Sequence, residues 1–131
     1  MAMPFGESTA ALHEGGGYLP STASVTSNGP GAVIASDAPS LARWWRAFCA
    51  GEIVPTDSLN EMTDFQGEYG LGLYQPYAGT VGHTGHDVGY VAWAGCLPDD
   101  GTVIVVLSNQ IVDDIGGMAG PLVIAADTHS Q

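Results

Sequence analysis

Residues 80–90, TVGHTGHDVGY, place His83 and His86 three apart, with Asp87 directly after, in a frame built from Gly82, Gly85 and Gly89. Histidines can ligate a metal, move a proton or hold an anion. On a strand, residues three apart point to opposite faces. The pair would therefore converge on a metal only if the strand ended at Gly85 and turned, and Asp87 is the one further ligand nearby. A metal site needs convergent ligands with supporting partners, so no metal and no cofactor are expected. The glycines by themselves describe a sharp hairpin and require no function.

The elements that would position this stretch can be read from hydrophobic spacing. Residues 1–32 are rich in Gly, Ser, Thr and Pro, follow neither helical nor strand periodicity, and read as a loop-rich arm. A helical segment is expected over residues 33–66. Ser36 and Asp37 suit an N-cap and Pro39 a first turn, while Leu41, Trp44, Trp45, Phe48 and Cys49 recur at helical spacing up to Gly51. A second short helix begins near Pro55, with Ser58 and Glu61 as a capping box.

From residue 67 the pattern changes to strands. EYGLGLYQ alternates, with Tyr69, Leu71 and Leu73 on one face, and TVGHTG, GYVAWAGCL and TVIVVLS follow. PDDG, residues 98–101, marks a hairpin between the last two. The unbroken apolar run of residues 103–107 predicts a strand buried on both faces and central in its sheet, and with Trp44, Trp45 and Phe48 it is expected to form the core. Ile115, Met118 and Leu122 have helical spacing, weakened by Gly116, Gly117 and Pro121. The expected fold class is α+β: an antiparallel sheet of about four strands, helices before it and a C-terminal helix over it. Residues 1–131 make one domain.

Composition excludes several functions. Fourteen acidic residues stand against two basic ones, both arginine, for a net charge of −12. Nucleic acids and anionic membranes are not expected partners, because phosphate recognition needs clustered Lys and Arg. The charge fits a soluble acidic surface or a high-salt habitat. Residues 103–107 are too few to span a bilayer, and MAMPFGESTA has neither the basic nor the apolar part of a signal peptide. Cys49 and Cys96 fall on different elements and are expected as buried free thiols in preference to a disulfide.

The order of these elements carries a third reading of the histidines. A capped helix, IASDAPSLARWWRAFCAGEIV, precedes LNEMTDF and YGLGL; GHTGHDVGY, a strand, a turn and VIVVLSN follow. Over about residues 32–126 this series resembles the C-terminal part of the serine β-lactamase and D-alanyl-D-alanine-peptidase family, in its class C-like branch, which includes esterases. There the third active-site motif is Lys-Thr-Gly or His-Thr-Gly; here it stands as His83, Thr84 and Gly85, with Gly89-Tyr90 as the Gly-Tyr pair that often follows. The resemblance implies a strand edge that binds an extended acyl substrate, small-molecule or peptide. His83 would hold the substrate carboxylate or assist proton transfer, Thr84 would donate a hydrogen bond to it, and Gly85 would leave room. The backbone N–H of His86 would supply one oxyanion donor.

The rest of the catalytic set is missing. The family nucleophile lies in Ser-x-x-Lys, and this chain has no lysine; Tyr-x-Asn is absent, and no serine lies in Gly-x-Ser-x-Gly. No complete catalytic residue set is therefore assigned. The expectation is a partial β-lactamase/transpeptidase-like domain, inactive alone, from a family whose members are often exported. The alternatives are a non-catalytic interaction module and half of an enzyme completed by a second chain. The resemblance also implies that an N-terminal strand beside residues 102–108 is lacking, so a homodimer or a complex with a missing N-terminal half is expected.

Overall fold

A computed structural model describes residues 34–77, 79–87, 90–109 and 114–129. The expected arm at residues 1–32 and Gly89 of the Gly-Tyr pair lie outside the described residues. The described chain is α+β, with three helices, α1 (Ala38–Cys49), α2 (Thr56–Met62) and α3 (Ile115–His129), and three strands, β1 (Val81–Asp87), β2 (Tyr90–Leu97) and β3 (Thr102–Ser108).

Asp37 caps α1: its Oδ1 accepts the Ser40 N–H at 2.7 Å, and hydrogen bonding to the Ser40 side chain first, and to its backbone second, holds the Asp37 carboxyl below its usual range. Gly51, at φ +73°, provides the left-handed backbone that ends the helix. Trp45 and Phe48 are buried, whereas Trp44 remains 45% exposed, its ring stacked on Phe48 at 5.2 Å. The expectation that Trp44 is a core residue is corrected: the buried stripe is narrower than the apolar one. Helix α2 starts at Thr56 behind Pro55, two residues before the expected capping box, so Ser58 lies inside the helix and caps nothing.

The sheet is antiparallel in the order β1-β2-β3. Asp87 pairs with Tyr90, so two residues connect β1 and β2. The 98–101 turn closes as its sequence predicts. Gly101 sits at φ +73° and donates to the Leu97 carbonyl, and Asp100 Oδ1 accepts the Thr102 N–H at 2.7 Å. The expected fourth strand over EYGLGLYQ is not among the described elements. Gly72 adopts φ +70°, which breaks the extended run, and the segment folds back on itself through isolated bridges. Leu73 is buried while Tyr69 and Leu71 are exposed, so the three do not share a face.

Strand alternation sends β2 and β3 side chains into two layers. Ala94, Cys96, Val103 and Val105 join Trp45, Phe48, Leu73 and Val81 on the α1 face. Trp93, Leu97, Ile104 and Val106 join Ala119 and Val123 of α3 on the other. The apolar run of β3 is thus explained by two covered faces. Its expected central position is corrected: among the described residues β3 is an edge, and Leu107 is 41% exposed. An unbroken apolar run reports what lies above and below a strand and is silent about what lies beside it. On α3 the buried positions are Ala119, Gly120 and Val123; of the expected face, Ile115 is half-buried against the same cluster, whereas Met118 and Leu122 are exposed.

Cys49 and Cys96 are joined in a disulfide, correcting the free-thiol expectation. The packing of α1 across the sheet brings the end of that helix over β2, a proximity that residues 47 apart in sequence do not announce. Closing a loop of that length restricts the unfolded chain by about 4 kcal/mol. The Cys49→Ala/Cys96→Ala protein is expected to lose between about 2 and 5 kcal/mol in urea unfolding. An unchanged midpoint would show that the bridge contributes nothing.

Candidate functional site

Among the described residues strand β1 is the other outer strand of the sheet, and its glycines differ in what they do. A Cβ on Gly82 would stand 2.5 Å from the Ala94 carbonyl oxygen, and one on Gly95, its cross-strand partner, 2.5 Å from that of Val81. Only hydrogen fits between the strands there. A Cβ on Gly85 would meet Ala92 Cβ at 3.5 Å, an ordinary contact, and its φ lies outside the left-handed region. Packing therefore requires Gly82 and leaves Gly85 without a structural reason.

The strand runs unbroken through Gly85 to Asp87, so His83 and His86 point to opposite faces. His83 and Gly85 share the α1 face; Thr84 and His86 lie on the α3 face, opposite Trp93 and Val91. The structure thus separates the side chains of His83 and Thr84, which the sequence places together. Among the described residues no three His, Cys, Asp or Glu side chains group to hold a metal.

What His83, Thr84, Gly85 and His86 share is the outer edge of β1. The Tyr74 N–H donates to the Gly82 carbonyl at 2.7 Å from the side away from β2. Alternation then directs the N–H and C=O groups of Thr84 and His86 outward as well. His83 folds along this edge, and its Nδ1–H donates to the Thr84 carbonyl. Because a carbonyl only accepts, that bond fixes the proton on Nδ1 and leaves Nε2 directed elsewhere as a lone pair, or as a second donor once the ring is protonated.

Two residues missed in the sequence complete the wall. Tyr69 and Tyr74 stack at 4.7 Å, and their rings lie 6.0 and 6.4 Å from the His83 ring. Their alternating sequence context reads as strand, and the fold-back at Gly72 creates the pair. The Tyr74 hydroxyl faces Glu68 Oε2 at 3.4 Å; partial desolvation, then the Glu68 charge, raises its pKa. Glu68 also brings negative charge to one end of the wall. A separate apolar crease of about 210 Å3 lies between α1, α2 and the sheet, lined by Phe48, Leu59, Val81 and the disulfide, and His83, Thr84, Gly85 and His86 do not line it.

No protein-family model, curated protein or solved structure matches the chain. No described helix is long and apolar enough to cross a membrane.

The two glycines of β1 give a paired expectation. Gly85→Ala is expected to leave stability unchanged or raise it by up to about 1 kcal/mol. Gly82→Ala is expected to cost about 1–3 kcal/mol, because backbone must move to admit the methyl group. Equal losses in thermal unfolding would remove the distinction between them.

Proposed function

We propose that the chain is the C-terminal segment of a serine hydrolase of the β-lactamase, D-Ala-D-Ala-peptidase and esterase type, which keeps one substrate-binding wall of an acyl-transfer site and lacks the nucleophile. The observation that carries this reading is the β1 edge. The outward N–H groups of Thr84 and His86 flank Gly85, whose missing side chain the fold does not need. An extended acyl ligand laid along that edge gains backbone hydrogen bonds, and the bare Gly85 lets it approach.

Within this reading Thr84 acts through its N–H, since its side chain is on the other face. The His86 N–H is an oxyanion donor awaiting a reacting carbonyl. His83 offers Nε2 to the ligand carboxylate, which it can hold as a donor only when the ring is protonated. These residues include no lysine to activate a serine, so turnover requires a segment, of this chain or another, that brings Ser-x-x-Lys. The same edge also supports a second reading, a module that binds a partner strand without catalysis.

The isolated chain is expected to show no serine labelled by a fluorescent penicillin or a fluorophosphonate; a labelled serine would end the reading of an absent nucleophile. A peptide ending in D-Ala-D-Ala is expected to shift the amide resonances of Thr84, Gly85 and His86. His83→Ala should shrink those shifts by removing the imidazole that meets the carboxylate. Shifts unchanged in that variant would deny His83 the carboxylate, and no shifts in the unaltered chain would leave the edge to the strand-binding reading.

A further inference from the structure

Backbone bonds hold Tyr69 and Tyr74 side by side. Residues 68–75 close a small hairpin, in which the Gln75 N–H donates to the Glu68 carbonyl at 2.7 Å and the Gly70 N–H to the Leu73 carbonyl at 3.0 Å. The Gln66 N–H donates to the Tyr69 carbonyl at 2.8 Å, and the Tyr74 N–H ties the hairpin to Gly82 of β1. Tyr69 and Tyr74 are therefore cross-strand partners whose rings share one side of the hairpin. Their platform is set before any ligand arrives.

The ring centroids of Tyr69, Tyr74 and His83 form a triangle with sides of 4.7, 6.0 and 6.4 Å, the short side between the tyrosines. His83 thus flanks the stack and does not cap it. Tyr69 is 53% exposed, and its hydroxyl makes no hydrogen bond among the described residues. Neither burial nor bonding accounts for that ring, and its face turned from Tyr74 is met by no other ring among the described residues. An aromatic face is electron-rich. Glu68 adds an exposed carboxylate to the same stack, with Oε2 3.4 Å from the Tyr74 hydroxyl. The two arginines of the sequence lie on α1, where Arg43 donates to Ser40, and among the described residues no basic side chain meets Glu68.

We propose that this platform takes the guanidinium of an arginine side chain in the ligand of the β1 edge, an assignment that rests on the reading of that edge as the seat of an extended ligand. The planar guanidinium stacks on the open face of Tyr69 and donates its N–H groups to the Glu68 carboxylate. A lysine ammonium keeps the charge but cannot lie flat on the ring, so it fits less well. The net charge of −12 draws any cation toward the molecule. The ring and the carboxylate together are what distinguish a guanidinium from the rest.

Titration of the full chain with N-acetyl-arginine amide, followed by NMR, tests this. The probe carries the guanidinium and no carboxylate, so it reads the platform without the rest of the edge. The expected result is saturable shifts of the Tyr69 and Tyr74 ring resonances, smaller affinity for N-acetyl-lysine amide and no saturable binding of the neutral N-acetyl-citrulline amide. Tyr69→Leu, which keeps apolar bulk and removes the ring, is expected to weaken binding about two- to fivefold in Kd. Glu68→Gln is expected to weaken it about twofold or more, whereas Asp57→Asn, on the exposed side of α2, should leave it unchanged. Binding should weaken as salt is raised. Absent ring shifts, citrulline binding equal to arginine, or equal losses in Glu68→Gln and Asp57→Asn overturn the proposal, the last because the attraction would then be that of the net charge alone. The peptide ending in D-Ala-D-Ala reads the edge separately, through Thr84, Gly85 and His86. Ring shifts with the arginine probe and no amide shifts with that peptide uphold the guanidinium site and remove the acyl-ligand reading; the reverse pattern overturns the guanidinium site alone.

Discussion

Trp93 and Cys96 point to opposite sides of one strand, and every other described element is placed by what packs on them. Cys96 is fully buried among the residues that α1 covers and is tied to that helix by the disulfide. Trp93, 1% exposed, anchors the cluster under α3. The ring leaves its Nε1 buried without a hydrogen-bond partner among the described residues. That unmade bond costs on the order of 1–3 kcal/mol, which the area buried by an indole of this size offsets. With β2 serving both layers, β1 and β3 are the outer strands among the described residues.

The two edges differ in what they present. At β1, the Gly82–Gly95 approach and the fold-back of residues 66–74 shape a polar rim of backbone groups, an imidazole and two phenol rings. At β3, the rim is flush and apolar, and continues onto a helix flank. The middle strand supplies the burial that holds both outer strands in place.

Much of this organisation is legible in the sequence where local chemistry decides it. The Asp37 cap, the Gly51 stop, the 98–101 turn and the three strands from Val81 onward follow from residue types at fixed offsets. The errors fall where distant parts of the chain decide. Alternation in EYGLGLYQ is real, but the positive φ of Gly72 turns the chain back and makes Tyr69 and Tyr74 neighbours. The spacing of Met118 and Leu122 is helical, yet the sheet selects the adjacent stripe of Ala119 and Val123, because small and branched side chains fit more closely over β2 and β3. Nothing in a single sequence could bring Cys49 to Cys96. At the candidate site, the letters His-Thr-Gly mark the right strand, while the separation of the His83 and Thr84 side chains follows only from the strand continuing through Gly85.

The sheet order, which equals the chain order, bears on how the molecule assembles. Each strand pairs with its sequence neighbour through a short turn, so both hairpins close small loops and can form without waiting for distant segments. Helix α1 is different. It precedes the sheet by more than thirty residues of intervening chain, and it can bury Trp45 and Phe48 only on a surface that already exists. The meander can therefore form before α1 docks on it, and the sulfur bridge retains that helix once it is in place.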